Sequence, residues 1–146
     1  KLQCDFSALL SPDYFRTYVL DSLKQATKSL DHVLYHLDGP ESIKHMDALM
    51  EVEGIDALQW TSGDHGPDGT MEEWDVIYDK ARAAGKQLWV KVYTGDLKDW
   101  IRNTDRIVKK YGSKGLYLFF NDMPLEWAEE LMDYAEKNWC DVKGSF

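Results

Sequence analysis

A histidine and an aspartate two positions apart, His36 and Asp38, have the types and spacing best suited to chemistry in this chain. They close a short apolar segment and are followed by Gly39 and Pro40, a pattern typical of a strand that turns into a helix. Side chains two apart in a strand point to the same side of the sheet. An adjacent imidazole and carboxylate can bind a divalent metal or share a proton. We therefore predict His36 and Asp38 as catalytic residues and metal ligands. Alternatively, Asp38 caps the following helix and His36 fills space at the top of the sheet.

Polar side chains also follow the next three predicted strands, at the point where each strand ends. Because the carboxyl ends of parallel strands lie at one edge of a sheet, we expect these side chains to surround the same site as His36 and Asp38. The residues predicted to bind substrate there are Gln59, Trp60, Lys91, Tyr93, Asn121 and Asp122.

Lys91 is unusual because it interrupts an apolar strand, residues 88–93. A buried lysine without a partner is unfavourable, so its ammonium group should face a polar interior or an acid. It could neutralise a substrate carboxylate. The alternatives are a structural ion pair with Asp122 or Asp38, or a position in solvent.

The longest predicted connection, residues 61–69, follows the second strand and is rich in glycine, aspartate and proline. Loops at this end of a strand usually shape the pocket. Asp64 and His65 could add metal ligands there, although a loop histidine is more often simply exposed. The loop glycines are too few and too poorly spaced to predict a phosphate-binding turn.

Short apolar segments alternate with amphipathic helical segments along the chain, which predicts consecutive parallel βαβ units. Ser11 is the predicted N-cap of the first helix, and Thr70 with Glu73 predicts a capping box for the third. His45 is predicted on a helix surface, without a functional role. The predicted strands are residues 33–37, 55–60, 86–93 and 116–120, and the predicted helices are residues 12–30, 41–51, 70–84, 96–111 and 124–139.

This α/β pattern predicts one domain, residues 1–146, built as half of a (β/α)8 TIM-type barrel with four strands and flanking helices. Four parallel strands cannot close such a barrel and would leave two raw edges. Three interpretations remain open. The chain is the carboxy-terminal fragment of a longer enzyme, which is the favoured one; it pairs with another half-barrel, as a homodimer or with a missing partner; or it is an independent small α/β sandwich.

The composition limits the classes of partner. Lysine and arginine number 17 against 26 acidic residues, a net charge of -9, and no extended basic cluster is present. Binding to nucleic acid or to an anionic membrane is therefore not expected. No apolar segment is long enough to span a bilayer, and two cysteines, Cys4 and Cys140, are too few for a disulfide framework. We predict a cytoplasmic protein with free thiols that acts on a small molecule.

Three segments of the chain are distinctive: Ser-Pro-Asp-Tyr-Phe-Arg at residues 11–16, His-Leu-Asp-Gly-Pro at residues 36–40 and Gly-Ile-Asp-Ala-Leu-Gln-Trp at residues 54–60. They resemble the second half of the uroporphyrinogen decarboxylase superfamily, and the similarity covers essentially the whole chain. The resemblance implies a (β/α)8 barrel. It also implies relatedness to porphyrin decarboxylases and to zinc-dependent methyltransferases of corrinoid pathways.

The resemblance places a metal at His36 and Asp38. The methyltransferases carry His-x-Cys-Gly at this position, and the histidine and cysteine bind zinc that activates a thiol. Here Asp38 stands in place of the cysteine, and Asn121 and Asp122 stand near the last strand, where the family has a later cysteine. A carboxylate is a harder ligand, which favours oxygen-rich coordination of zinc or of another divalent metal. The corrinoid-binding pattern Asp-x-His-x-x-Gly is absent, so a corrinoid would be carried by a partner protein.

Taken together, the resemblance implies that the parent protein transfers methyl groups in corrinoid-linked, methylamine-type one-carbon metabolism. The alternative activity is decarboxylation of a porphyrinogen-like polycarboxylate, with Lys91 and Tyr93 binding the substrate and no metal. A third alternative is a non-catalytic half-barrel that completes the fold of a partner. We expect the half-barrel alone to be inactive, because the family takes substrate-binding groups from the other half of the barrel.

Overall fold

The computed structural model describes residues 1–63 and 66–146 and shows five parallel strands in one sheet, flanked by helices. The strands lie side by side in chain order, so each is hydrogen-bonded to the next one along the sequence. They are β1 (Leu2–Gln3), β2 (Leu34–Asp38), β3 (Ala57–Thr61), β4 (Gln87–Val92) and β5 (Leu116–Phe120). The α/β class and the parallel arrangement are thus confirmed.

The predicted number of strands, four, is wrong because β1 adds a fifth at the edge of the sheet. Leu2 pairs with Tyr35 and Gln3 with His36 on β2. Two residues carry no recognisable apolar alternation, so only the pairing with β2 reveals this strand.

The helices follow the predicted order, with different ends. The helix predicted over residues 12–30 is two segments that meet at Val19, and it ends before Leu30, which is exposed. Ser11 caps it as predicted, since its hydroxyl accepts a hydrogen bond from the Tyr14 amide at 3.2 Å. The helices are α1 (Pro12–Tyr18), α2 (Leu20–Thr27), α3 (Met46–Met50), α4 (Asp75–Ala83), α5 (Leu97–Tyr111) and α6 (Leu125–Asn138), with 3-10 turns at Asp5–Leu9, Pro40–His45 and Glu72–Trp74. No helix in the described part of the chain is both long and apolar enough to cross a membrane.

The two faces of the sheet differ. One face of β2, β3 and β4 is buried and belongs to the main hydrophobic core together with residues of the helices. The opposite face, here called the open face, carries partly exposed side chains that include His36, Gln59 and Trp89. Tyr117 and Phe119 of β5 continue this face and are exposed. The buried core side of the strands consists of Tyr35, Leu37, Leu58, Trp60, Leu88 and Val90.

A second, smaller core joins α5 and α6 to the last strand. Its buried members are Leu97, Val108, Leu131 and Trp139, and Leu116 and Leu118 of β5 pack against them. Because these apolar side chains are buried away from water, their packing holds α6 against the end of the sheet.

His45 is buried, so the prediction that it lies on a helix surface is wrong. Its Nε2 donates a hydrogen bond to the Ser7 carbonyl oxygen at 2.8 Å, and its ring stacks on Phe15 with centroids 4.2 Å apart. The hydroxyls of Ser7 and Ser42 are also 3.0 Å apart, which joins the first and second 3-10 turns. The contacts come from residues 30 or more positions away, so helical periodicity could not show them.

We expect the free energy of unfolding to fall as the pH drops below about 6.5, the ordinary histidine pKa. Burial lowers the pKa of His45 in the folded protein, and its Nδ1 has no hydrogen-bond partner among the described residues. The unfolded chain therefore takes up a proton that the folded chain does not, and stability is lost until the pH reaches the folded pKa. Urea unfolding at several pH values between about 5 and 8 measures the effect.

The control variants are His45→Gln and His32→Gln. A glutamine amide at position 45 can still donate to Ser7 but does not titrate, so stability should become nearly constant over this range. His32 is exposed, so His32→Gln should keep the wild-type pH profile. A profile that His45→Gln leaves unchanged would contradict the assignment.

Candidate functional site

A cavity of about 420 Å³ lies at the carboxyl ends of the strands, next to the residues predicted from the sequence. Its volume is within the range of small-molecule sites. Most of the described side chains that line it are polar, and they include the cationic Lys91. The lining residues are Asp38, Trp60, Thr61, Ser62, Gly63, Gly69, Lys91, Tyr93 and Asn121.

His36 and Asp38 both project from the open face of β2, as predicted, but they do not bond to each other. His36 Nδ1 lies 3.1 Å from the Gln59 amide oxygen. Because that oxygen only accepts, Nδ1 is the donor, which in the neutral tautomer leaves the lone pair on Nε2. Thr61 donates its hydroxyl hydrogen bond to Asp38 Oδ1 at 2.7 Å. Each side chain is thus oriented by the neighbouring residue on β3, with which it is in register.

Asp38 does not cap the turn that follows β2. Gly39 occupies the N-cap position of that turn, with a φ of 76°, and no side chain caps the turn. This positive φ is readily adopted by glycine, which explains why Gly39 follows Asp38. The carboxylate therefore remains directed to the open face and the cavity.

Lys91 lies on the open face of β4, in register with Phe119 on β5. Its Nζ is 5.3 Å from the centre of the Tyr93 ring, a cation–π distance. Within residues 1–63 and 66–146, no carboxylate lies within 4 Å of this ammonium group, so the ion pair with Asp122 or Asp38 is not formed. Both it and the Tyr93 ring line the cavity.

The other predicted substrate-binding residues occupy different positions. Gln59 holds His36 and does not line the cavity, whereas Asn121 does. Trp60 lines it too but is fully buried on the core side of β3, with its ring centre 5.0 Å from that of Trp74. Asp122 is exposed and lies outside the lining.

Asp68 is the residue that the sequence reasoning missed. Its side chain is buried, and its Oδ2 accepts hydrogen bonds from the amides of Tyr93 and Thr94, both at 2.7 Å. Its Oδ1 accepts from the amide and the hydroxyl of Thr70. Thr70 is therefore engaged with Asp68, and the helix N-cap lies elsewhere, at Met71 for the 3-10 turn, so the predicted capping box is wrong. The Pro-Asp-Gly-Thr sequence is a turn signal that indicates an Asp side chain bonded to the backbone two residues on.

A metal at the two ligands predicted from the sequence would bind to His36 Nε2 and Asp38 Oδ2. Among the described residues, no group of three or more histidine, cysteine or acidic side chains comes together. Asp64 and His65, predicted as possible further ligands, lie outside the described residues.

No protein-family model matches the chain, and neither a curated protein nor a solved structure gives a significant match. A functional assignment therefore depends on the chemistry of the site itself.

Proposed function

We propose that this chain forms about half of a (β/α)8 barrel of the uroporphyrinogen decarboxylase kind, and that the complete barrel transfers a methyl group in corrinoid-linked one-carbon metabolism. The observation that carries the proposal is the placement of His36 and Asp38. Both project from the same face of β2 at its carboxyl end, and Asp38 lines a polar cavity.

The order of the strands supports the barrel. Parallel strands adjacent in sequence order, with helices between them, are the building units of such barrels. The open face would become the barrel interior, where Trp89, Tyr117 and Phe119 would be covered. The rings of Tyr117 and Phe119 both stack on Trp89, at centroid distances of 6.0 and 5.3 Å, so a continuous aromatic surface is available for burial. The remaining strands would come from a second copy or from another half-barrel.

The arrangement of His36 and Asp38 fits a divalent metal such as zinc. Metal-binding histidines commonly donate their second ring N–H to a fixed acceptor, which is the role of the Gln59 oxygen here. Thr61 similarly occupies one oxygen of Asp38 and leaves the other available. Catalytic zinc sites use about three protein ligands, so further ligands would come from outside these two residues. A bound zinc ion would lower the pKa of a substrate thiol and make it nucleophilic towards a methyl group.

The chain's own residues would position the substrate. Lys91 supplies a positive charge in the cavity, and Asn121 and Thr61 offer hydrogen-bonding groups around it. The methyl donor would be carried by a separate corrinoid protein, and this chain would bind the small-molecule acceptor.

We expect the chain to bind roughly one zinc ion, and the variant His36→Ala with Asp38→Ala to lose it, because both donors are then absent. The matched control is Asp31→Ala with His32→Ala, an exposed aspartate and histidine pair outside the sheet. Calorimetric titration with zinc and metal analysis of the dialysed protein provide the measurement. Equal zinc binding by both double variants would place the metal elsewhere.

A metal-free wild type would favour the second candidate function, decarboxylation of a polycarboxylate. The observation behind this candidate is Lys91, whose ammonium group lines the cavity and pairs with no acid in residues 1–63 and 66–146. A substrate carboxylate would neutralise the charge of Lys91, and Tyr93 would lie beside the bound carboxylate.

A further inference from the structure

Residues 66–70, here called the 66–70 segment, replace β3 as the neighbour of β4 near the carboxyl end of the sheet. Pairing between β3 and β4 stops at Gln59 and Trp89. Two residues further along, the Lys91 carbonyl oxygen accepts a hydrogen bond from the Gly69 amide at 3.0 Å. β3 and β4 therefore separate at this level, and the cavity lies between the residues at their ends.

Beyond the end of β4, the Asp68 side chain takes the place of β3 as the hydrogen-bond acceptor. Because β3 has separated from β4 here, the Tyr93 amide donates its hydrogen bond to Asp68 Oδ2 instead of to a β3 carbonyl oxygen. The Thr94 amide donates to the same oxygen. A buried carboxylate is costly unless several donors surround it, and here four donors converge on one side chain.

The segment is packed closely against its neighbours. Tyr78 donates its hydroxyl hydrogen bond to the Gly69 carbonyl oxygen at 2.7 Å, and Trp74 Nε1 donates to the Asp68 carbonyl oxygen at 3.0 Å. A Cβ atom at Gly69 would lie 2.8 Å from the Tyr78 hydroxyl oxygen, so only glycine fits there without movement. The Tyr93 hydroxyl in turn donates to the Gly66 carbonyl oxygen at 2.9 Å. Contacts therefore hold the segment at both ends.

We propose that Asp68 is the positioning residue of the cavity: it fixes the 66–70 segment between the ends of β3 and β4 and thereby holds Tyr93 beside Lys91. Of the residues it controls, Tyr93 and Gly69 line the cavity directly. The relevance of this cavity to a reaction rests on the proposed function, whereas the hydrogen bonds that Asp68 makes do not.

The test compares Asp68→Asn with the wild type by nuclear magnetic resonance, without metal or substrate. The Lys91 side chain lies over the Tyr93 ring, so the ring current should shift its ε-protons upfield. Asparagine at position 68 keeps the size of the side chain but replaces one carboxylate oxygen with an NH2 group, which cannot accept a hydrogen bond. The side chain can therefore no longer accept from Thr70 on one side and from Tyr93 and Thr94 on the other. We expect the upfield shift to disappear and exchange of the Tyr93 and Thr94 amides to accelerate at least about tenfold.

Asp105→Asn is the matched control. Asp105 accepts hydrogen bonds from the Tyr134 hydroxyl and Trp139 Nε1, in the smaller core and away from the cavity. Asp105→Asn should lower the melting temperature while the chemical shifts of the Lys91 ε-protons stay unchanged. If Asp68→Asn also lowers only the melting temperature and leaves the Lys91 signals unmoved, Asp68 is a stabilising residue alone and the proposal is overturned.

Thr70→Val covers the case in which Asp68→Asn does not fold. It removes the hydroxyl bond to Asp68 Oδ1 and keeps the carboxylate, so a smaller movement of the Lys91 signals in the same direction is expected. Unmoved signals would again overturn the proposal. Because no zinc is present, failure here leaves the metal-binding result intact, and loss of zinc binding leaves this result intact.

Discussion

Phe15→Ala is expected to lower the free energy of unfolding by about 3–5 kcal/mol, the usual cost of removing a fully buried phenylalanine side chain. Phe15 lies on α1 and has no exposed surface. Its ring also covers the His45 imidazole, so truncation removes apolar contact from two elements at once. Equilibrium unfolding in urea, with the midpoint and slope fitted separately, measures the loss.

Phe6→Ala is the control for this variant. Phe6 precedes the same region of the chain but is 62% exposed, so its truncation should change the free energy of unfolding by less than about 0.5 kcal/mol. Phe15→Ala should also admit water to His45 and bring its pKa closer to the ordinary value. The fall in stability below about pH 6.5 should then become smaller. Equal losses in the two phenylalanine variants would show that Phe15 does not form the core.

Leu58→Ala is expected to cost about 2–5 kcal/mol, because it leaves a cavity under the centre of the sheet. Leu58 lies on the core side of β3, directly between Tyr35 of β2 and Leu88 of β4. All three are buried, so little space exists for neighbouring side chains to fill the gap. The next residue, Gln59, points to the open face and orients His36. The packing of Leu58 on the core side therefore also fixes the strand that carries Gln59 on the open face.

Leu125→Ala is the matched leucine control, since Leu125 is 71% exposed at the start of α6. Urea unfolding should show a change of less than about 0.5 kcal/mol for this variant. A loss of similar size in both leucine variants would contradict the assignment of the core side of β3. So would a negligible loss in Leu58→Ala.

Local sequence signals account for much of the secondary structure. Ser11 before Pro12, and Asp96 at the start of a long amphipathic segment, mark helix starts that the structure contains. Asp96 accepts hydrogen bonds from the amides of Lys98 and Asp99, which closes the first turn of α5. These bonds join residues two or three positions apart, so a short window of sequence contains all the information.

Local sequence signals also predicted part of the candidate site, but not the partners of its side chains. Strand alternation predicted that His36 and Asp38 share a face, and the sequence placed Lys91 and Tyr93 near them. The partners of these side chains were not predictable, because Gln59 and Thr61 are each 23 positions from the residue they orient. Which polar side chains meet depends on the register between strands, and no local pattern specifies register to one residue.

By itself, the sequence determined the α/β class, the order of most elements and the edge of the sheet where polar side chains gather. These features follow from local propensity, capping and hydrophobic alternation. Only the tertiary structure decided that β1 joins the sheet, that His45 is buried, and that Asp68 accepts the Tyr93 amide hydrogen bond. Each of these depends on contacts between residues distant in sequence, where packing and the need to satisfy buried polar groups select the partner.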